Sequence, residues 1–159
     1  MPEYQQAQQV QEFTNEIFEI SKASWTAQNR RRSKTQHELT EAEFLALDIL
    51  AKAGRSLNVG EIQREIGVLP AQMSRIIRAL ESKGEKPLVT CRINPGDKRK
   101  IDVELSPAGT EAHHAYRQVK LGTIQQMLEG LDEKDRNELM RLLRIIRQNI
   151  HKSLHNNAL

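Results

Sequence analysis

The sequence predicts a mainly α-helical chain with one small β-hairpin, and three observations carry that reading. Apolar residues recur at three- and four-residue spacing through most of the 159 residues. Two stretches, Thr40 with Glu43 and Asn58 with Glu61, carry the reciprocal capping pattern that marks a helix start. Only between residues 88 and 105 does the pattern change to alternation, in two β-branched runs separated by the turn signal Asn94-Pro95-Gly96.

The first helix is expected from about Gln5 to about Arg32, with Val10, Phe13, Ile17 and Ile20 at helical spacing. It closes in Arg30-Arg31-Arg32-Ser33-Lys34, cations that favourably meet the negative end of the helix dipole; direct phosphate contact is the other reading of that run. The second helix begins at the Thr40 cap, with Leu39 and Phe44 placed as a hydrophobic staple, and buries Phe44, Leu47 and Leu50. Gly54 stops it. Asn58 caps a short third helix, Val59 to Ile66, with Leu57 and Ile62 as its staple and Gly67 at its end. Pro70 opens a fourth, expected to reach Lys83, at the position where its missing N–H costs nothing. Met73, Ile76, Ile77 and Leu80 form its core stripe. In the hairpin, Val89, Cys91 and Ile93 share one side with Ile101, Val103 and Leu105. Ser106-Pro107 starts a fifth helix that Gly130 breaks, and Asp132 caps a sixth with Leu139, Leu142, Leu143, Ile146 and Ile150 on one stripe.

Composition narrows the function classes. Apolar residues make up 38% and aromatics 4%, low for a self-sufficient monomer, while 28% of residues are charged. A chain of this kind is expected to complete its core by dimerising. A single cysteine, Cys91, rules out an internal disulfide framework and suits a reducing cytoplasm. No apolar run approaches the ~20 residues of a membrane span, and the N-terminus lacks the basic and apolar regions of a signal peptide. A cytoplasmic protein is expected.

Net charge is only +3, but its distribution is uneven. From Pro70 to Lys100 eight basic residues (Arg75, Arg78, Lys83, Lys86, Arg92, Lys98, Arg99, Lys100) stand against three acids (Glu81, Glu85, Asp97), which is +5 and leaves −2 for the rest. Concentrated positive charge is what phosphate binding needs. On a helical wheel Ala71, Arg75, Arg78 and Ser82 point away from the core stripe, flanked by Gln72 and Ser74. Small, amide, hydroxyl and guanidinium groups near a helix N-terminus can read base edges in a major groove. Lys98, Arg99 and Lys100 occupy the hairpin turn, where Arg99 suits a narrow minor groove and Asp97 can hold its guanidinium. Helix 59–66, a short turn, helix 70–83 and a basic hairpin, in that order, make a winged helix-turn-helix. The partner expected of it is double-stranded DNA.

On these residues the sequence resembles the multiple-antibiotic-resistance regulator (MarR) family. Asp97, Arg99, Leu105 and Ser106 fit its D-x-R-x-x-x-x-x-L-[TS] signature, and Leu39-Thr40, Val59-Gly60-Glu61-Ile62, Met73-Ser74-Arg75, Leu80-Glu81-Ser82-Lys83-Gly84 and Leu88-Val89 follow its pattern in order. The resemblance covers roughly residues 10–150. It implies a homodimeric transcriptional regulator on a palindromic operator, whose first, fifth and sixth helices build the dimer, and a small-molecule effector or oxidant that weakens DNA binding. Three departures stand out: Glu85-Lys86-Pro87 interrupts the run from Gly84 to Leu88, Leu69 replaces the usual Ser or Thr cap, and the first helix has no sensing cysteine.

The organisation expected is therefore a DNA-binding region over 36–105 and a helical dimerisation region from 1–35 with 106–159, intertwined as one domain. Val10, Phe13, Ile17, Leu139, Leu142, Leu143, Ile146 and Ile150 are the expected dimer contacts. Trp25 is expected in the core, or lining an effector cavity. Cys91 reads as a buried, inert thiol. Adjacent His113 and His114 diverge by about 100° on a helix and do not share a metal; His37 or Glu41 is the alternative companion to one of them. No metal or cofactor is expected. No Ser-His-Asp set, phosphate loop or paired carboxylates indicate an enzyme. The reading is a DNA-binding regulator, a repressor released by an effector; the alternative is a winged-helix architectural or protein-interaction module that reads no sequence.

Overall fold

The structure, a computed structural model, describes residues 2–32 and 38–156. The elements run α1 (Pro2–Arg32), α2 (Glu41–Ala53), β1 (Leu57–Asn58), α3 (Val59–Ile66), α4 (Pro70–Ser82), β2 (Val89–Ile93), β3 (Ile101–Leu105), α5 (Pro107–Glu129) and α6 (Glu133–Asn156). This is the mainly helical winged helix-turn-helix that the sequence predicts. The side chains of Arg31 and Arg32, together with Ser33, Lys34 and His37, lie outside the described residues. No helix among the described residues is long and apolar enough to cross a membrane.

Both capping boxes form. Thr40 Oγ1 accepts from the Glu43 amide at 3.2 Å, and Asn58 Oδ1 from the Glu61 amide at 2.9 Å, while each glutamate reaches back to the cap's own N–H. Gly54 and Gly67 close α2 and α3 in the left-handed region, at φ 62° and 76°, where a side chain would be strained. The staple residues Leu39, Phe44, Leu57 and Ile62 are all buried. α4 ends at Ser82, one residue short of the expected Lys83, because Lys83 has left the helical region for an extended backbone.

The hairpin pairs in the expected register, Val89 with Leu105, Cys91 with Val103 and Ile93 with Ile101. A third strand joins the sheet, beyond the two that the sequence predicts: β1 pairs with β3 through Leu57 and Val103, giving the order β1-β3-β2. Two residues are too few to show alternation, and one of them is the Asn58 helix cap. Ser106 fastens the sheet to α5; its Oγ donates to the Pro87 carbonyl at 2.6 Å and accepts from the Gly109 amide at 2.9 Å. At Gly109 a Cβ would lie 1.9 Å from the Leu88 carbonyl oxygen, so α5 reaches the sheet edge only because that position is glycine.

The chain divides into two compact units, residues 1–121 and 122–159, the boundary falling within α5. In the first, the core is Leu39, Ala46, Leu47, Leu50, Ile62, Met73, Leu80, Leu88, Val89 and Val103 with their neighbours. Trp25 is no part of it, being 68% exposed; α1 has little packed against its length, so an aromatic there is not enclosed. In the second unit, Asp132 caps α6 by accepting from the Asp135 amide at 2.8 Å, and no residue of α6 is buried.

Candidate nucleic-acid interface

α3, the turn at Gly67-Val68-Leu69 and α4 form a helix-turn-helix held by its inner faces. Met73, Ile76, Ile77 and Leu80 are buried, and this fixes the opposite face of α4 outward. Ala71, Gln72, Ser74, Arg75, Arg78 and Ser82 are all exposed, as the wheel required. Ser82 is partly spent on the helix itself, donating to the Arg78 carbonyl at 2.8 Å. Arg75 and Arg78 enter no ion pair among the described residues, so nothing there neutralises their charge.

The wing tip is organised by two acceptors. Asn94 Oδ1 takes the Gly96 and Asp97 amides at 2.8 and 2.9 Å, and its amide nitrogen donates to the Asp102 carboxylate at 2.9 Å. Asp97 Oδ1 in turn accepts from both the backbone N–H and Nε of Arg99, each at 3.1 Å. Those Arg99 bonds, helped by Lys100, hold the Asp97 carboxyl below the usual carboxylate range. Arg99 remains 91% exposed, so its guanidinium is aimed without being covered. Lys98 and Lys100 flank it, also exposed.

Not every basic residue of the segment contributes to this face. Lys83 Nζ is bound to Glu43 and to the Glu38 carbonyl, clamping the end of α4 to the start of α2. Arg92 lies on Glu104 at 2.7 Å. The +5 of the sequence count therefore overstates the charge presented to a partner. Sequence pattern does not reveal this, because Lys83 and Glu43 are forty residues apart.

A cavity of about 600 Å³ lies within the first unit, lined by Trp25, Ser24 and Gln28 of α1, Thr40 and Glu41 at the start of α2, and Tyr116 and Lys120 of α5. Lys120 Nζ meets Glu41 Oε1 at 2.7 Å, and the Tyr116 hydroxyl donates to Glu41 Oε2 at 3.3 Å. Phe44 stacks with both Tyr116 and His113. Trp25 lines this cavity and is no part of the core.

The remaining candidates separate. His113 Nε2 lies 2.9 Å from Asp48 Oδ1, His114 bonds Gln118, and Glu41 is taken by Lys120 and Tyr116, so the three serve different partners. Burial and then Glu81 push the Cys91 thiol up to about 12, which keeps it protonated and unreactive at neutral pH. Val10, Phe13, Ile17, Leu142, Leu143, Ile146 and Ile150 are exposed in the single chain, and Leu139 is partly so.

Comparison with known proteins places this geometry. Residues 39–101 match the model of the MarR family. The structure is similar to a MarR family protein from Bacillus stearothermophilus, with a TM-score of 0.76 at 17% identity over 91% of this chain and 96% of that one. It is similar to the YusO protein of Bacillus subtilis, with a TM-score of 0.71 at 21% identity over 89% and 96%. It is also similar to Bordetella bronchiseptica BpsR, a protein whose DNA binding is regulated by 6-hydroxynicotinic acid (TM-score 0.62, 20% identity, 84% and 91%). At these identities the structures establish the fold alone. No curated protein sequence matches the chain.

Proposed function

We propose that this chain, whose residues 39–101 match the MarR family model, is a DNA-binding transcriptional regulator that acts as a cytoplasmic homodimer on a palindromic operator, as a repressor released by a small molecule. The observation that carries the reading is the wing. Asp97 holds a fully exposed Arg99 at the tip of a hairpin beside the uncovered outward face of α4. The tip guanidinium enters a minor groove, where potential is most negative, while Gln72, Ser74 and Arg75 meet base edges in the adjacent major groove. Arg78, Lys98 and Lys100 bind phosphates and supply affinity without sequence information. Ala71 is small enough to let the backbone approach the bases.

The exposed apolar stripes of α1 and α6 are the dimer contacts, and they set two recognition helices about one DNA turn, ~34 Å, apart. The cavity beside Trp25, with Lys120 and Tyr116 as polar contacts, is of a size that small-molecule sites have. An effector there weakens DNA binding by preferring a dimer geometry with the wrong spacing.

Selection of bound duplexes from a random pool tests the reading, and an enriched palindrome is the expected result. Arg75→Ala should lower affinity for that palindrome more than for scrambled DNA. Lys98→Ala should weaken both alike and reduce the salt slope by about one unit, since one fewer counterion is released. Equal affinity of the wild-type chain for unrelated duplexes would favour an architectural module instead.

A further inference from the structure

Gln72 has a structural task at the start of α4 that dictates what its amide offers to DNA. Leu69 is the N-cap, and leucine has no side-chain acceptor for the amides of the first turn. The cap is therefore made from one side only: Gln72 reaches back, and its Oε1 accepts the Leu69 backbone N–H at 3.2 Å. Glu43 and Glu61 make the same return bond at the starts of α2 and α3. Their carboxylate ends are equivalent, whereas the two ends of a glutamine are not. With Oε1 turned to a backbone donor, the NH2 group is the end that faces away, because the reverse orientation sets donor against donor. Gln72 is exposed and stands on the same face as Ser74 and Arg75.

We propose that this half-cap makes Gln72 a donor to the major groove, selecting guanine over adenine at one position of each half-site. The inference rests on the reading of α4 as the recognition helix. A free glutamine pairs with adenine through both ends, its oxygen accepting from N6 and its NH2 donating to N7. With Oε1 turned back to the Leu69 N–H, the amide cannot lay its oxygen and NH2 side by side along the N6–N7 edge, and that pairing is lost. The NH2 group then meets two acceptors on guanine, N7 and O6, but on adenine one acceptor beside a donor. Leu69 is a positioning residue acting through its N–H; its side chain is 70% exposed.

Leu69→Pro removes the donor and little else, since Leu69 sits at φ −73°, within the range proline adopts. Duplex selection with the wild-type chain should enrich guanine at one half-site position. Leu69→Pro should release the amide and move the guanine-to-adenine ratio there about tenfold towards adenine, the size of one base-edge discrimination. Gln72→Glu keeps the half-cap and the melting temperature but presents an oxygen, so the same position should turn to cytosine, whose N4 is a donor. Melting curves of each variant separate damage to α4 from a change of readout; were Leu69→Pro not to fold, Gln72→Glu alone decides. The proposal is overturned if Gln72→Glu changes no position, if the responding position prefers adenine in the wild type, or if folded Leu69→Pro selects the wild-type sequence. A wild-type chain that enriches no sequence sinks the regulator reading itself, and this inference with it.

Discussion

The stretch from Leu39 to Leu105 and the long helices α1 and α6 use the same aliphatic residues in opposite ways. Leu39, Leu47, Ile62, Met73, Leu80, Leu88 and Val103 are 1% exposed or less, whereas Val10, Phe13, Ile17, Leu142, Leu143, Ile146 and Ile150 range from 41% to 60%. The difference is one of length and enclosure. α2, α3 and α4, of 13, 8 and 13 residues, are short enough to wrap one core with the sheet. α1 and α6, of 31 and 24 residues, carry apolar stripes longer than a small core can cover. Soluble monomers rarely leave so much apolar surface to water, and such patches mark interaction sites. The winged helix encloses its core within one chain, whereas the end helices leave their apolar stripes uncovered in it.

If that contrast is right, a charge placed on the end helices should act on association. Leu143→Asp or Ile146→Asp should give monomer or unfolded protein by sedimentation, since an unpaired charge is not buried in an apolar contact. A wild-type chain that sediments as a monomer at micromolar concentration would break the comparison outright. The converse change belongs to the core. Leu80→Ala, at a fully buried position, should cost about 2–5 kcal/mol in denaturant unfolding.

Smaller effects sharpen the contrast by sparing both the buried core and the end-helix stripes. Arg99→Ala should weaken DNA binding by about 1–3 kcal/mol while melting temperature and sedimentation stay at wild-type values. Unchanged operator affinity in that variant would remove the wing tip from the interface. Leu69→Ser supplies the side-chain cap that α4 lacks and should raise stability by about 1 kcal/mol without altering association.

Acid gives the last and smallest test. Burial pulls the Asp48 carboxyl up, but the hydrogen bonds of Lys52 and His113 outweigh it and leave it below its ordinary value of 3.8. A carboxyl depressed by folding contributes stability above its unfolded value, and that stability is lost as pH falls through the folded one. Unfolding free energy should therefore drop below about pH 4, and Asp48→Asn should flatten that part of the curve. The drop ought to be the same at every protein concentration, because Asp48 and its partners lie within one chain.

What the residues alone determined is what depends on near neighbours in the chain. The caps at Thr40 and Asn58, the stops at Gly54 and Gly67, the α4 stripe, the hairpin register and the Asp97–Arg99 contact all act over two to four residues or through alternation, so pattern suffices. Tertiary structure decided whatever joins distant positions. Lys83 counts among the basic residues of the sequence, but Glu43 holds it; Lys120 and Tyr116 close on Glu41; and the Leu88 carbonyl fills the space that a Cβ at Gly109 would need. β1 belongs to the same class, a two-residue strand that exists because β3 offers it an edge. Local periodicity carries no record of such encounters: which charge meets which, and which small residue a backbone presses against, is settled only when the core brings those segments together.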